Sequence, residues 1–368
     1  MKKMKSLFNP RLLLGVVFMV AITSVFAQSV KDTRTWSRSF SVNTETTLEV
    51  ENKYGTILIV PWSYDSVQVT ADIFLEAKNY ARLRKLSNDV SISATGTRTY
   101  VIVRTVIGDG STRIASELRT LSSTLGSNSK VEINYTIYLP EYINIVLSNK
   151  FGDIYIDDIY GDVDIMLSNG VLKANTFSGN SNLDLQFAKG SIRNLGTASL
   201  KLSYGELSLG KVDQMDFTGK SSELRIDTSG VVKIDSRRDR IEIGEVEYLY
   251  GESSFTDVVV KNFIREANCN MKYGTLRMEK VQPDFSTIDL ESDFTDITLY
   301  ISPESNYFVD ILHHKDAILN LPRSDDGLVT RNTGEEFFTT EGYVSGKDTD
   351  KRLIIKADHK CYINISTR

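Results

Sequence analysis

The chain has 368 residues, a quarter of them charged, and a formal net charge of −5. That acidic balance lacks the basic footprint of a general nucleic-acid binder, so no nucleic-acid partner is expected. Neither of the two cysteines stands in a CxxC or zinc-ligand spacing, which excludes the common redox and zinc-finger motifs.

Met1 to Arg11 carries Lys2, Lys3, Lys5 and Arg11 and no acid, and Leu12 to Phe26 is an apolar run broken only by Gly15, Thr23 and Ser24. Val25-Phe26-Ala27 then gives a cleavage-type ending before Gln28. This is the three-part layout of a secretory signal peptide over residues 1–27. The apolar run of about fifteen residues is short against the roughly twenty that a membrane helix needs; an uncleaved anchor is the alternative. No cysteine follows the cleavage position, so lipid attachment there has no support, and no later segment is apolar enough to span a bilayer. Loss of the four leading cations leaves a mature chain of net charge −9. The expected location is exported: periplasm, cell surface or extracellular space.

Residues 28–147 read as an N-terminal β region with a helical insertion at about 76–125. Thr47 to Thr70 looks like an early copy of the later repeat, through Val50, Lys53-Tyr54-Gly55-Thr56, Ile57, Ile59, Val67 and Val69. Glu76 to Asn88 is polar and rich in helix formers, with Leu83 and Leu86. Alternation returns at Val90/Ile92 and Tyr100/Ile102. A second helical segment carries Ile114, Leu118, Leu121 and Leu125 at helical spacing, between loop signals at 108–110 and 126–129. Val131 to Leu139 reads as a strand leading into the array.

Residues 148–302 form the array. Two apolar residues separated by one polar position recur as Ile154/Ile156, Leu172/Ala174, Leu207/Leu209, Leu224/Ile226, Ile241/Ile243, Val258/Val260, Leu276/Met278 and Ile297/Leu299, with Ile192 placed as a first member beside Asn194. First members then stand 18, 20, 15, 17, 17, 17, 18 and 21 residues apart. A second alternating run precedes each pair, as in Leu183/Leu185/Phe187 and Leu200/Leu202/Tyr204, and a single apolar residue follows, as in Phe177 or Val246. Each unit is strand, turn, strand, corner, and the spacing of two excludes helix. Gly152, Gly170, Gly190, Gly205 and Gly274 sit between the strands, replaced later by Ser222, Arg240 or Thr256; glycine there permits positive φ and close backbone approach. Parallel stacking gives a β-solenoid of 17–20 residues per coil, and antiparallel hairpins would give an elongated sheet. The near-constant period favours the solenoid, because it superposes equivalent residues as internal ladders. Glu223, Arg240 and Asp257, and likewise Arg225 and Glu242, then become direct neighbours of opposite charge on the wet face.

Residues 303–368 read as C-terminal strands, a loop and a cap: a strand at Tyr307–Leu312, a glycine-rich loop or hairpin at 323–350, and a closing segment from Leu353 to Ile365. Cys269 and Cys361 alternate in register with apolar neighbours and read as small buried hydrophobes, although an exported protein could also pair them. The expected fold class is all-β, a parallel β-solenoid with a small helical insertion near the N-terminus.

Tyr-Gly-Thr-Ile-Leu-Ile (54–59), Phe-Gly-Asp-Ile-Tyr-Ile (151–156) and Tyr-Gly-Thr-Leu-Arg-Met (273–278), behind a signal peptide, give the chain a family resemblance. It resembles the secreted adhesin-like β-strand repeat proteins common in Bacteroidetes, related to the auto-transporter adhesin head (GIN) domain. Tyr138-Leu139-Pro140 also looks like that group's first strand. The resemblance covers roughly 45–75 and 130–368. It implies a right-handed β-helix-like fold at or beyond the cell envelope, and it brings no catalytic residues.

Chemistry-bearing clusters are few. His313-His314, near Asp310 and Asp316, are adjacent on a strand and point to opposite faces, which does not suit one metal ion. Asp153, Asp157, Asp158, Asp162 and Asp164 could suit calcium, but no calcium-loop pattern is present, and a solvated turn is the simpler reading. Asp289, Glu291, Arg265 and Arg277 could serve a polysaccharide lyase, yet nothing in the sequence makes them converge. Among the aromatics, Tyr204, Phe217, Phe255, Phe263 and Tyr273 fall at apolar positions and are expected in the core, while Tyr155 and Tyr160 are expected outside, as surface contacts for carbohydrate or protein. No catalytic, cofactor or metal site is expected. The leading function is a non-enzymatic envelope or cell-surface scaffold, adhesin-like, binding an envelope or extracellular protein or glycan through the solenoid side. The alternatives are a carbohydrate-active enzyme on a β-helix and a periplasmic signalling partner.

Overall fold

Alternation of inward and outward residues sets the architecture, because each strand can bury only every second side chain. A computed structural model describes residues 29–108, 129–323 and 327–367. The signal-peptide segment 1–27 and the second helical segment, Ile114 to Leu125, lie outside the described residues. The chain divides into two compact units.

The larger unit (Thr35–Ile73, Ile92–Val106 and Glu132–Arg368) is a parallel β-solenoid of about nine turns. Every coil contributes one strand to each of two sheets. Sheet I contains Asn144–Lys150, Val163–Ser168, Ser181–Gln186 and Thr287–Asp293; sheet II contains Ile154–Ile156, Val171–Phe177, Thr275–Val281 and Asp296–Ile301. Between them, five long strands (Lys189–Ser203, Glu206–Lys220, Glu223–Arg237, Arg240–Ser254 and Asp257–Lys272) run from sheet II into sheet I without a break.

Two internal ladders line sheet II. Ile154, Leu172, Gly190, Leu207, Leu224, Ile241, Val258, Leu276 and Ile297 are successive register partners, and so are Ile156, Ala174, Ile192, Leu209, Ile226, Ile243, Val260, Met278 and Leu299. Their large aliphatic members are at most 5% exposed, each burial contributing on the order of 1.5–3 kcal/mol. The ladder corrects one assignment: Ile192 is a second member, paired with Ala174 and Leu209, and Gly190 occupies the first place. The uneven 20- and 15-residue steps thereby become 18 and 17, like their neighbours. In sheet I, Leu147, Ile165, Leu183, Leu200, Phe217 and Ile234 stack in the same way.

The ends are threaded out of order. Thr47–Lys53 lies between Tyr100–Ile107 and Asn144–Lys150, and Ile57–Pro61 lies between Lys130–Leu139 and Ile154–Ile156. At the other end, Arg352–Ala357 lies between Thr287–Asp293 and Tyr307–His314. Tyr362–Thr367 likewise lies between Asp296–Ile301 and Ile318–Asn320. The closing role expected of Leu353 to Ile365 is therefore corrected: this segment is the penultimate coil. The cap is the antiparallel pair Phe337–Val344 and Val329–Asn332, laid against Tyr307–His314. It covers an edge that would otherwise offer unpaired backbone groups.

The smaller unit (Met1–Arg34, Phe74–Ser91 and Ile107–Val131) holds one short helix among its described residues, Tyr80–Asp89. The Asn79 side chain caps it by accepting from the Arg82 amide at 3.0 Å. Leu83 and Leu86 are buried, Ser87 donates to Asp32 at 3.2 Å, and Arg34 donates to the Val90 carbonyl. Among the described residues, no helix is long and apolar enough to cross a membrane.

Candidate functional site

The sharp turn from sheet I to sheet II requires one residue per coil in left-handed backbone conformation. That residue is Tyr54, Phe151, Asn169, Phe187, Tyr204, Ser221, Arg238, Phe255, Tyr273 and Phe294 in successive coils, all at φ between 50° and 67°. For an L-residue this costs about 1–2 kcal/mol. Backbone hydrogen bonds continue through the corner and offset it: the amides of Phe151, Tyr204, Phe255 and Tyr273 each donate to the next coil at 2.8–2.9 Å. In most coils the residue after the corner is small for another reason, Asp239 being the exception. A Cβ on Gly152 would come within 1.9 Å of the Gly55 carbonyl oxygen, and one on Gly274 within 2.1 Å of that of Thr256. The glycines thus serve close approach, and the positive φ belongs to the residue before them. Gly190 and Arg240 are not corner residues; Ala188 and Asp239 hold those places.

Leaving the β region turns the corner side chain outward. Phe151, Phe187, Tyr204, Phe255, Tyr273 and Phe294 are 42–59% exposed. The core placement expected for Tyr204, Phe255 and Tyr273 is therefore corrected, while Phe217 and Phe263 are buried as expected. Neighbouring rings stack face to face: Phe187 on Tyr204 at 5.1 Å, Phe255 on Tyr273 at 4.9 Å, Tyr273 on Phe294 at 5.1 Å, and Phe294 on His359 at 4.9 Å. Each pair contributes about 0.5–1.5 kcal/mol beyond area burial. The rungs make exposed apolar runs along one edge, interrupted at Asn169 and at Ser221 and Arg238, of the sort that marks interaction surfaces. Cations border it: Lys220 Nζ lies 5.5 Å from the Tyr204 centroid, and the Arg238 guanidinium 5.8 Å from that of Phe255.

Beneath the middle rungs runs a buried polar seam. Asp239 accepts from the Ser222 amide at 2.6 Å, the Ser236 hydroxyl at 2.7 Å and the Arg237 amide at 3.1 Å. Burial, partly countered by these bonds, holds its carboxyl above the usual range. Gly219 makes room for it, since a Cβ there would come within 2.2 Å of Asp239 Oδ2.

Tyr155 is half-buried on the outward face of sheet II, in register with Leu58 and Lys173. Its hydroxyl donates to Asp153 at 3.1 Å, and burial, then Asp153, pushes its pKa up. It lines a shallow open groove of about 720 Å³ with Lys173, Arg193, Arg225, Asp157 and Asp227. Tyr160 is exposed in the loop after Ile159 and is not part of that groove, so the two tyrosines do not form one site.

The acidic cluster bonds forward to the next coil. Asp153 accepts from the Val171 amide, Asp158 from Asn175, Asp162 from the Asn180 amide and Asp164 from Asn182, at 2.7–3.2 Å. Among the described residues, no three His, Cys, Asp or Glu side chains are grouped to hold a metal. His313 is buried against Thr340, while His314 faces Asp316 and Glu336. Asp289 and Glu291 lie in sheet I, Arg277 lies in sheet II paired with Glu279, and Arg265 pairs with Glu247, so the four do not converge. Cys269 and Cys361 are buried free thiols, and burial pushes Cys269 up to about 12. Glu223, Arg240 and Asp257 are in register, as are Arg225 and Glu242, but only the second set makes a close pair, at 3.9 Å.

The corner has a sequence signal, an aromatic residue immediately before a glycine, in Tyr54-Gly55, Phe151-Gly152, Tyr204-Gly205 and Tyr273-Gly274. Period-two alternation hides it, because Leu200, Leu202 and Tyr204 appear to continue one buried face.

No protein-family model matches the chain, and no curated protein matches it. Similar solved structures include a candidate cell adhesion protein from Clostridium sporogenes, with 10% identity, coverage of 92% of this chain and 100% of that one, and a TM-score of 0.17. A candidate adhesin from Parabacteroides distasonis has 11% identity, coverage of 73% and 94%, and a TM-score of 0.34. A candidate adhesin from Bacteroides fragilis has 9% identity, coverage of 90% and 97%, and a TM-score of 0.25.

Proposed function

We propose that this chain is an exported, non-enzymatic solenoid scaffold of the cell envelope or cell surface, an adhesin-like member of the β-strand repeat group related to the GIN domain. It binds an envelope or extracellular partner through the side of the solenoid. The observation that carries this reading is the exposed aromatic corner. A soluble coil would gain by placing polar residues at an exposed left-handed position, where Asn and Gly are least strained. Phe and Tyr recur there in seven of the ten coils instead, and their rings form stacked runs along one edge. Catalysis would need an acid and a base held about a common point, and the outward carboxylates are spread among coils.

A sedimentation assay with isolated envelopes tests both halves of the proposal. The purified mature protein is expected to co-sediment and to release no soluble sugar or peptide fragments. The triple variant Phe187→Ser, Phe255→Ser, Tyr273→Ser is expected to stay in the supernatant while keeping its coil structure, since these side chains are outward. Undiminished sedimentation of a folded triple variant, or release of fragments by the wild type, would overturn it.

A further inference from the structure

We propose that the break in the aromatic corner between Tyr204 and Phe255 is a subsite for a carboxylate-bearing sugar of an acidic polysaccharide. This rests on the reading of the corner as the binding edge and names its ligand class.

The break offers ring faces rather than ring edges, and it is wider than the gap at Asn169, which parts Phe151 from Phe187 by two coil steps. From Phe255 through Tyr273 and Phe294 to His359, neighbours cover successive faces at 4.9–5.1 Å. Ser221 and Arg238 hold the two rungs between Tyr204 and Phe255. Tyr204 therefore turns one face to Phe187 and the other to the break, and Phe255 turns its second face there too. Three coil steps of about 4.8 Å separate the two rings by about 14 Å; within that span Lys220 Nζ lies 5.5 Å from the Tyr204 centroid and the Arg238 guanidinium 5.8 Å from that of Phe255, so a sugar ring placed on either face would displace or share it with a cation. A notch of about 380 Å³ adjoins the break where Phe187, Tyr204 and Ser221 pass into sheet II, lined also by Lys189, Glu206 and Glu223 and not by Lys220, Arg237 or Arg238.

Charge gives the chemical class. Lys220 and Arg237 are register partners, and Arg238 adjoins them. All three are exposed, and among the described residues none stands in an ion pair. Cations nearby on the same coils do: Lys189 with Glu206 at 2.8 Å, Lys211 with Asp213 at 3.5 Å, and Arg225 with Glu223 at 2.5 Å. Three cations without acids, on a chain of net charge −5, call for an anionic ligand, and a guanidinium matches a carboxylate in bidentate fashion. The C–H face of a pyranose would lie on Tyr204 or Phe255, its carboxylate would meet Lys220, Arg237 and Arg238, and Ser221 would meet a ring hydroxyl. The net charge of −5 weighs against a nucleic-acid strand, whose affinity rests on many phosphate contacts to a basic surface, and that ligand is an outcome of the test.

The subsite is also held rigid. Asp239 bonds the Ser222 amide of one gap coil and the Arg237 amide of the next. One buried carboxylate thus ties together the backbones that present Lys220, Ser221, Arg237 and Arg238. Such preorganisation lowers the entropy cost of binding.

Calorimetry with three probes tests this: an oligogalacturonate, a neutral glucan oligomer of equal length, and a single-stranded oligonucleotide. The oligogalacturonate is expected to bind best, more weakly as salt rises. Lys220→Gln with Arg238→Gln is expected to weaken it by at least about tenfold, and Tyr204→Ser by a similar factor, with thermal midpoints unchanged. Lys211→Gln, an exposed cation away from the break, is expected to leave it as it is. Equal binding of acidic and neutral oligomers, preference for the oligonucleotide, or indifference to the double substitution would overturn the subsite. If envelope sedimentation still depends on the aromatic corner in that case, only the ligand assignment falls; if neither assay responds, both readings fall.

Discussion

Ile241 and Glu242 are neighbours in one strand, and their side chains meet opposite worlds. Ile241 is fully buried between Leu224 and Val258. Glu242 is outward, 2.5 Å from Lys261 and 3.9 Å from Arg225, and these cations hold its carboxyl below the usual range. Ile241→Asp buries a carboxylate with no partner and should cost several kcal/mol or open the coil locally. Glu242→Lys exchanges partly exposed ion pairs for like-charge contacts with Lys261 and Arg225, each worth up to about 1 kcal/mol, and should cost clearly less than the buried carboxylate. Urea melts of the two variants check this; equal destabilisation would refute the inward–outward assignment. Alternation made such core residues legible in the sequence. It misled at the corners, where one left-handed residue, such as Tyr204 at φ 55° or Tyr273 at φ 55°, rotates the next expected core side chain into solvent. Local periodicity carries no information about that single torsion.

At the scale of the element, the coil is the unit, and its period of 17–20 residues is readable because register partners must nearly repeat it, the last step from Leu276 to Ile297 being 21. Ile192 shows the limit: with Gly190 in a ladder position, the apolar pair lacks its first member, and the pattern points two residues too far along the chain. Threading at the ends was not readable at all. Val309/Ile311 and Leu353/Ile355 carry the same inward pattern, so either could follow Ile288/Leu290, and only the fold places the later segment first. This order has a consequence. A chain ending at Gly346 lacks the coil that joins Thr287–Asp293 to Tyr307–His314. Limited proteolysis with mass spectrometry should then find residues 307–344 cut rapidly, while coils from Asn144 to Ile301 resist. Protection of 307–344 in the shortened chain would mean that the coils stack in simple sequence order.

For the whole molecule, the larger unit is a repetitive scaffold whose interior is spent on ladders and whose corner sets out a row of rings. Stacking each coil on its neighbours fixes those rings at regular intervals, so the surface inherits the order of the core. That inheritance turns a fold into a candidate binding edge, and it separates the edge from the Tyr155 groove on sheet II. Hydroxyl-radical footprinting of the mature protein, free and bound to isolated envelopes, tests the claim most directly. In the free protein, Phe187, Tyr204, Phe255, Tyr273 and Phe294 should be modified, while Phe177, Phe217, Phe263 and Phe285 stay protected. On the envelope, the corner set should lose its reactivity and Tyr155 should not. Corner rings that remain reactive on bound protein, while Tyr155 or another surface becomes protected, would contradict the account.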